Sequence, residues 1–237
     1  MKKAARAPRP DGEATRARIL EAAGELFAAH GYAEAASKAI AARAEVDLAS
    51  INYHFGSRSG LYQAVLAEAH RRLMDVADLQ RLAQSRLAAT DKLRAVIGHL
   101  VGNALSGAEN WHISVLTAEI LAPSSHIQVL FESEIPRKIA VVMAIASDIS
   151  GIPQDDPALQ RCLLSVIAPC LLLQIGRRGV PGPVQAMLRM PAETLVDHLS
   201  RFAIAGLEAI GRDYADSAPT RRKKKQPRMR ATILTQS

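Results

Sequence analysis

The sequence predicts an all-α fold: a small N-terminal unit of three helices carrying a helix-turn-helix, followed by a larger helical body, about nine helices in all. Three observations lead there. Hydrophobic residues make up 49% of the 237 positions while aromatics are only 4%, and Ala and Leu are abundant, a composition that favours helices over sheets. Apolar residues recur at helical spacing along most of the chain. Between Ile40 and Leu61, in IAARAEVDLASINYHFGSRSGL, two short helical stretches flank a tight turn and lead into a third. The expected division is a disordered basic arm over residues 1–13, a helix-turn-helix domain over 14–60, a helical body over 61–213 and a disordered basic tail over 214–237.

Residues 1–13 are rich in Pro, Ala and charge. Thr15 is placed to start the first helix, whose stripe is Ile19, Ala22, Ala23, Leu26 and Phe27, and Gly31 is placed to stop it. Ser37 and Asp47 are the candidate caps of the second and third helices, Lys38 to about Ala44 and Leu48 to about Phe55. The spacing between them is informative. A helix-turn-helix needs a small residue where its helices cross, a turn-maker four positions on, and an apolar plug six beyond that. Ala41, Glu45 and Ile51 occupy those positions. Glu45 is the misfit, because the turn commonly demands φ > 0 and Gly adopts it at no steric cost. On spacing alone an ordinary helical hairpin stays open as the alternative to a DNA-binding one.

Ser57 can cap a fourth helix running to about Val76. Residues 78–89 read as its continuation or a joint. Helices are then expected from Thr90 or Asp91 to about Leu105 and from about Glu109 to Leu121. A long one follows from Ser124 or Ser125 to Ser150, kinked at Pro136. Another runs from Asp156 to about Arg178 with Pro169 inside, and a last one from about Ala192 to Ile210, stopped by Gly211.

The formal charge of +7 resides at the ends: residues 219–237 carry seven basic and no acidic side chains, residues 1–18 six and two, and residues 19–218 seventeen and twenty-one. The run RRKKK at 221–225 can add sequence-independent affinity for DNA, or be a solvated tail. Cys162 and Cys170 fall in one predicted helix roughly 12 Å apart along its axis, too far for a disulfide between them. They read as small buried hydrophobes in a reducing cytosol, with an intersubunit redox contact as the alternative. No Cys/His group has metal-ligand spacing, and no HExxH, P-loop or Rossmann glycine pattern occurs, so neither metal nor cofactor is expected. No nucleophile–base set points to an enzyme. With neither an apolar leader nor a charge-free apolar run of about 18 residues, the expectation is a cytoplasmic protein without a membrane span.

The run SINYHFGSRSGLY, with TRARILEAAGELF, HGY and IAARAEV before it, resembles the TetR/AcrR family of bacterial transcriptional regulators over Thr15 to about Leu66. Glu45 in place of Gly is the clear departure. The order Trp111, Glu119, Pro123–Ser124, Pro136, Gly151–Pro153 and Asp155–Pro157 is similar to one subfamily with its own helical C-terminal domain, in which a Gln is expected where Pro169 stands. The resemblance implies a homodimeric repressor that binds a near-palindromic operator and releases it when a small molecule enters the larger domain. An architectural DNA-binding protein whose large domain only dimerises is the competing reading.

For DNA contact the third helix is short enough to enter a major groove by its N-terminal part. With Ile51 and Phe55 turned to the core, Leu48, Ala49, Ser50, Asn52, Tyr53 and His54 remain outside. Asn52 suits adenine, Leu48 or Ala49 a thymine methyl, and Ser50 a base or phosphate. The resemblance assigns Tyr53 and His54 to the DNA backbone, with packing as the alternative for each. It assigns Lys38 to a base or phosphate and Arg58 to a phosphate. Ser37, Thr15 and Arg16 complete the phosphate set. Effector-pocket candidates are His99, Asn103, Trp111, His112, Glu119, Met143 and Gln174, each with core packing as its alternative. The candidate dimer stripe is Leu163, Val166, Leu195, Leu199, Phe202, Ala203, Gly206 and Ile210, the alternative being closure of the monomer's own core.

Overall fold

The computed structural model describes residues 10–106, 110–132, 134–177, 179 and 181–224, and its elements are helical throughout. They are α1 (Pro10–Glu34), α2 (Ser37–Arg43), α3 (Leu48–Phe55), α4 (Arg58–Leu73), α5 (Val76–Gln84), α6 (Ala89–Leu105), α7 (Trp111–Leu121), a 3-10 turn (Ser125–Ile127), α8 (Gln128–Glu132), α9 (Glu134–Ser150), α10 (Pro157–Gly176), α11 (Pro183–Met187) and α12 (Ala192–Lys224). Residues 1–9 and 225–237, parts of the two segments expected to be disordered, lie outside the described residues.

Helix boundaries depart from the sequence reading where a local signal has a second use. α1 begins at Pro10, so Thr15 lies inside it, and the Thr15 hydroxyl donates to the Asp11 carbonyl at 2.8 Å. Gly31, at φ 77° and ψ 168°, breaks α1 as its position predicts. The polar joint after α4 is a helix of its own, α5, capped by Asp75, whose carboxylate accepts the Ala77 N–H at 2.7 Å. Pro136 lies in the first turn of α9 rather than at a kink, where its missing N–H is one that a helix start leaves unpaired anyway. Pro169 sits inside α10 without ending it. Gly211 does not stop α12, which runs on to Lys224 through residues expected to be disordered. This glycine serves close approach: a Cβ there would collide with the Ser150 carbonyl at the end of α9. Tyr214 then donates to Asp156 at 2.8 Å, fastening the extension of α12 to the start of α10.

Two apolar cores result, and their boundary does not follow the chain. Ile19, Phe27, Ile40, Ile51, Leu61, Leu66 and their neighbours form the first, and Trp111, Val115 and Leu116 of α7 and Leu130 of α8 close it. The second is built from α5, α6, α9, α10, α11 and α12, with Ile97, Ile145, Leu159 and Leu207 at its centre. α10 is apolar and long enough to cross a membrane by composition, with mean hydropathy 1.7 over its most apolar window. Its Cys162, Val166, Cys170 and Leu173 are packed into the second core. Both cysteines are free thiols, and burial pushes Cys170 up to about 11.

Candidate nucleic-acid interface

The turn between α2 and α3 sets the site. Glu45 has φ 54°, the one positive φ among the described residues other than glycine. The Glu45 and Val46 N–H groups return to the Ala42 and Ala41 carbonyls at 3.2 and 3.0 Å, closing the turn despite the strained residue. Ala41 and Ile51 are buried against each other's helices, as crossing point and plug require. Asp47 caps α3: its carboxylate accepts the Ser50 N–H at 2.7 Å and the Ser50 hydroxyl at 2.6 Å. These bonds, the hydroxyl first, hold the Asp47 carboxyl below its usual range.

With Ile51 anchored, α3 turns Leu48, Ala49, Asn52 and Tyr53 to solvent. Tyr53 is 85% exposed, so packing does not account for it. His54 is half-buried. Its ring lies edge-on to Tyr53 at 5.1 Å and within 4.0 Å of where a Cβ at Gly12 would stand, so the start of α1 lies over it. Arg16 is exposed and stacks its guanidinium 5.2 Å from the Phe55 ring, beside the end of α3. Lys38 is exposed. Ser37 is the first residue of α2 rather than its cap; Ala36 holds that position without a side-chain bond.

Arg58 is turned inward. Its guanidinium donates to the Tyr32 carbonyl, to those of Ala33 and Ala35 at 3.2 and 2.9 Å, and stacks 4.5 Å from the Tyr32 ring. Through these bonds it holds the link between α1 and α2. Carbonyls have no sequence signature, so the position alone suggests only a cation at a helix start. The glycines of GSRSG have separate uses: Gly56 takes φ 74° to end α3, and a Cβ at Gly60 would collide with the Phe55 carbonyl. Ser57 caps α4, accepting the Gly60 N–H at 3.0 Å.

The effector candidates do not converge on one cavity. Trp111 and Glu119 belong to the junction of α1, α4 and α7. The Trp111 indole N–H donates to Glu21 at 2.8 Å, and buried Glu119 accepts from the Tyr62 hydroxyl at 2.8 Å and the Ser124 N–H at 2.7 Å. Burial and the Glu119 contact push the Tyr62 hydroxyl well above its ordinary range. His112 is half-buried nearby, and desolvation lowers its pKa. His99 and Asn103 reach across from α6 to the Leu73 carbonyl, at 2.7 and 2.8 Å. Only Met143 and Gln174 lie in or beside the second core. Gln174 donates to the Leu100 carbonyl at 2.8 Å while its Oε1 is buried without a hydrogen-bond partner.

The proposed dimer stripe divides in the same way. Val166 and Leu195 are buried in the chain's own second core, and Leu163, Leu199 and Ala203 pack partly against it. Gly206 is half-buried. Phe202 and Ile210 face outward on α12, joined by Leu164 and Leu172 on α10, two residues outside the predicted stripe. A helix apolar on more than one face gives no sign in its sequence of which face the protomer takes.

No His, Cys, Asp or Glu group able to hold a metal occurs among the described residues. The family model for bacterial regulatory proteins of the tetR family matches residues 19–65. The model for the C-terminal domain of the HTH-type transcriptional dual regulator CecR matches residues 89–207. A comparison with curated protein sequences returned no match. Among solved structures, a TetR-like transcriptional regulator from Rhodococcus sp. RHA1 is 19% identical, with 85% of this chain and 98% of that one covered at a TM-score of 0.61. The fatty acid degradation regulator FadR of Bacillus halodurans is 14% identical over 80% and 98% of the two chains, with a TM-score of 0.64. FadR of Bacillus subtilis, in complex with stearoyl-CoA, is 16% identical with the same coverage and TM-score. At these identities the likeness is one of fold. With one model matching the helix-turn-helix domain and the other half of its length, the chain belongs to the TetR family of bacterial DNA-binding transcriptional regulators and carries a C-terminal domain of the CecR type.

Proposed function

We propose that the protein is a homodimeric repressor, that α3 reads a near-palindromic operator in the major groove, and that a small-molecule effector in the C-terminal domain releases it. The observation that carries the reading is the outer face of α3: Leu48, Ala49, Asn52 and the 85% exposed Tyr53 stand out from a helix fixed from behind by buried Ile51. α3 carries no Arg or Lys. Affinity then comes from flanking groups, Lys38, Arg16, the Tyr53 hydroxyl and the helix termini, and base readout from Asn52, Ser50 and apolar contacts.

Dimerisation is supported by Leu164, 69% exposed, and Leu172 on α10, and by Phe202, 72% exposed, and Ile210 on α12. Each pair is eight residues apart, about 80° around the helix and so within one broad apolar stripe. Effector control is supported by the end of α4. The Leu73 carbonyl accepts from His99 and Asn103 of α6, and the His70 carbonyl from Lys138 of α9 at 2.6 Å. Carbonyls at a helix C-terminus have no partner within the helix, so these side chains of the C-terminal domain hold α4 directly. A ligand that moves α6 or α9 shifts α4 and with it the spacing of the two recognition helices.

The test is selection of bound fragments from genomic DNA by the full-length protein, followed by light scattering and a promoter reporter. A two-fold symmetric motif, a dimeric mass that Phe202→Glu reduces to that of a monomer, and a reporter silenced by the protein are expected. Fragments without a shared motif would overturn the operator reading. Thermal shift against a metabolite library, with hits that also release DNA, separates a ligand-responsive regulator from a purely architectural one.

A further inference from the structure

The Ser50 hydroxyl is not free to rotate. Its Oγ lies 2.6 Å from Asp47 Oδ1, the same oxygen that accepts the Ser50 backbone N–H at 2.7 Å. An ionised carboxylate offers no proton, so the one hydroxyl hydrogen of half-buried Ser50 points at Asp47 and its lone pairs are left to accept. Leu48 and Ala49, the other residues of this first turn, carry no polar side chain. The side-chain hydrogen-bonding character of the leading end of α3 is therefore all acceptor, Ser50 Oγ and the exposed Asp47 carboxylate, while the backbone N–H groups of Leu48 and Ala49 remain donors suited to phosphate.

Base edges in the major groove differ in this respect. Adenine N6 and cytosine N4 donate, whereas guanine O6 and N7 and thymine O4 accept. We propose that Asp47 is a positioning residue for base readout: by fixing Ser50 as an acceptor it makes one position of each half-site select a base with an exocyclic amino group, adenine or cytosine, on the strand Ser50 faces. Against guanine or thymine, Ser50 either gives up its bond to Asp47 or sets lone pairs against lone pairs. The inference rests on the reading of α3 as the groove helix and adds the chemistry of one contact to it.

Selection of bound sequences from random DNA, with the full-length wild type, Ser50→Ala and Asp47→Gly, tests it. Ser50→Ala leaves the Asp47 cap on the backbone N–H intact. Asp47→Gly removes the oxygen that accepts the hydroxyl and so frees its hydrogen, and glycine is itself a tolerated N-cap residue. The wild type should prefer adenine or cytosine at one half-site position by about fivefold, the worth of a single net hydrogen bond. Ser50→Ala should level that position alone, and Asp47→Gly should admit guanine or thymine there with the other positions unchanged. Two variants that bind and keep the wild-type preference at every position overturn the proposal, as do variants that alter different positions. A wild type that enriches no motif overturns the groove reading itself, and is distinguishable because the failure precedes any variant. Matching far-UV circular dichroism and melting temperatures establish that each variant is folded.

Discussion

The indole N–H of Trp111 donates to the Glu21 carboxylate at 2.8 Å, joining α7 to α1 across 90 residues of chain. Arg72 of α4 completes the joint, with its guanidinium 4.9 Å from the indole ring and paired to Glu21 at 2.8 Å. Gly24 lets the indole lie flat against α1, where a Cβ would strike it. Burial alone would raise the Glu21 pKa, but the Arg72 and Trp111 bonds prevail and lower it. Trp111→Ala should cost about 3–5 kcal/mol through the cavity it leaves. Trp111→Phe, which loses mainly the hydrogen bond, should cost about 1 kcal/mol. Urea unfolding of the two variants checks the order, and equal losses would mean that the bond, not the packing, dominates.

Glu45 is held at φ 54° in the turn between α2 and α3. A residue with a Cβ meets the following carbonyl there, at a cost of about 1–2 kcal/mol, offset in part by the greater freedom glycine has in the unfolded chain. Glu45→Gly should therefore raise stability by roughly 1 kcal/mol and leave the DNA motif unchanged. A lower unfolding midpoint for Glu45→Gly would show that the Glu45 side chain stabilises the turn by more than its backbone strain.

Burial, and then the charge of Lys138, push His70 down to about 4 from 6.5. Lys138 Nζ lies 2.8 Å from His70 Nδ1 and 3.6 Å from Glu134. The unfolded chain thus binds the proton more readily between those values, so stability is lost as pH falls through that window. Between pH 7 and pH 5 the loss from this group is about 2 kcal/mol. Melting temperatures across that range should fall less steeply for His70→Gln than for the wild type, since glutamine can accept from Lys138 but does not titrate.

The two basic ends should behave differently toward DNA. Gly12 lies beside His54 of α3, so the first described turn of α1 stands next to the recognition helix, and the preceding segment of the sequence holds Lys2, Lys3, Arg6 and Arg9. α12 instead passes Ser150 and Asp156, at the end of α9 remote from the Lys138–His70 contact with α4. Removing residues 2–9 should reduce the slope of log affinity against log salt by about 0.9 for each phosphate that the arm neutralises. Removing residues 219–237 should leave that slope unchanged, and a reduced slope for this truncation would show the tail reaching the operator.

Much of the candidate interface is legible in the sequence because its signals are local. The Ala41–Glu45–Ile51 spacing and the Asp47 cap depend on residues close together in the chain, and the strain at Glu45 follows from the turn geometry alone. Arg58 is not legible in this way. Its partners are the carbonyls of Tyr32, Ala33 and Ala35, more than twenty residues away and identical in kind to every other carbonyl. Gly211 misleads because a glycine that ends a helix and one that admits a neighbouring backbone look alike in sequence. Pro136 misleads because a proline is tolerated in a first turn and disruptive further in, and α9 starts only two residues before it.

By itself the sequence determined the all-α class, the helix-turn-helix and the residue types that α3 carries, since helical periodicity, caps and turn residues act over a few positions. Tertiary structure alone decided which of several apolar faces is buried. It gave α7 and α8 to the N-terminal core, turned Val166 and Leu195 inward while leaving Leu164 and Phe202 outside, and dispersed the expected pocket residues among three junctions. The physical reason is that apolar burial is non-directional: a stripe of Leu, Val and Ile has the same affinity for every apolar surface, and only the assembled neighbours fix which one it meets.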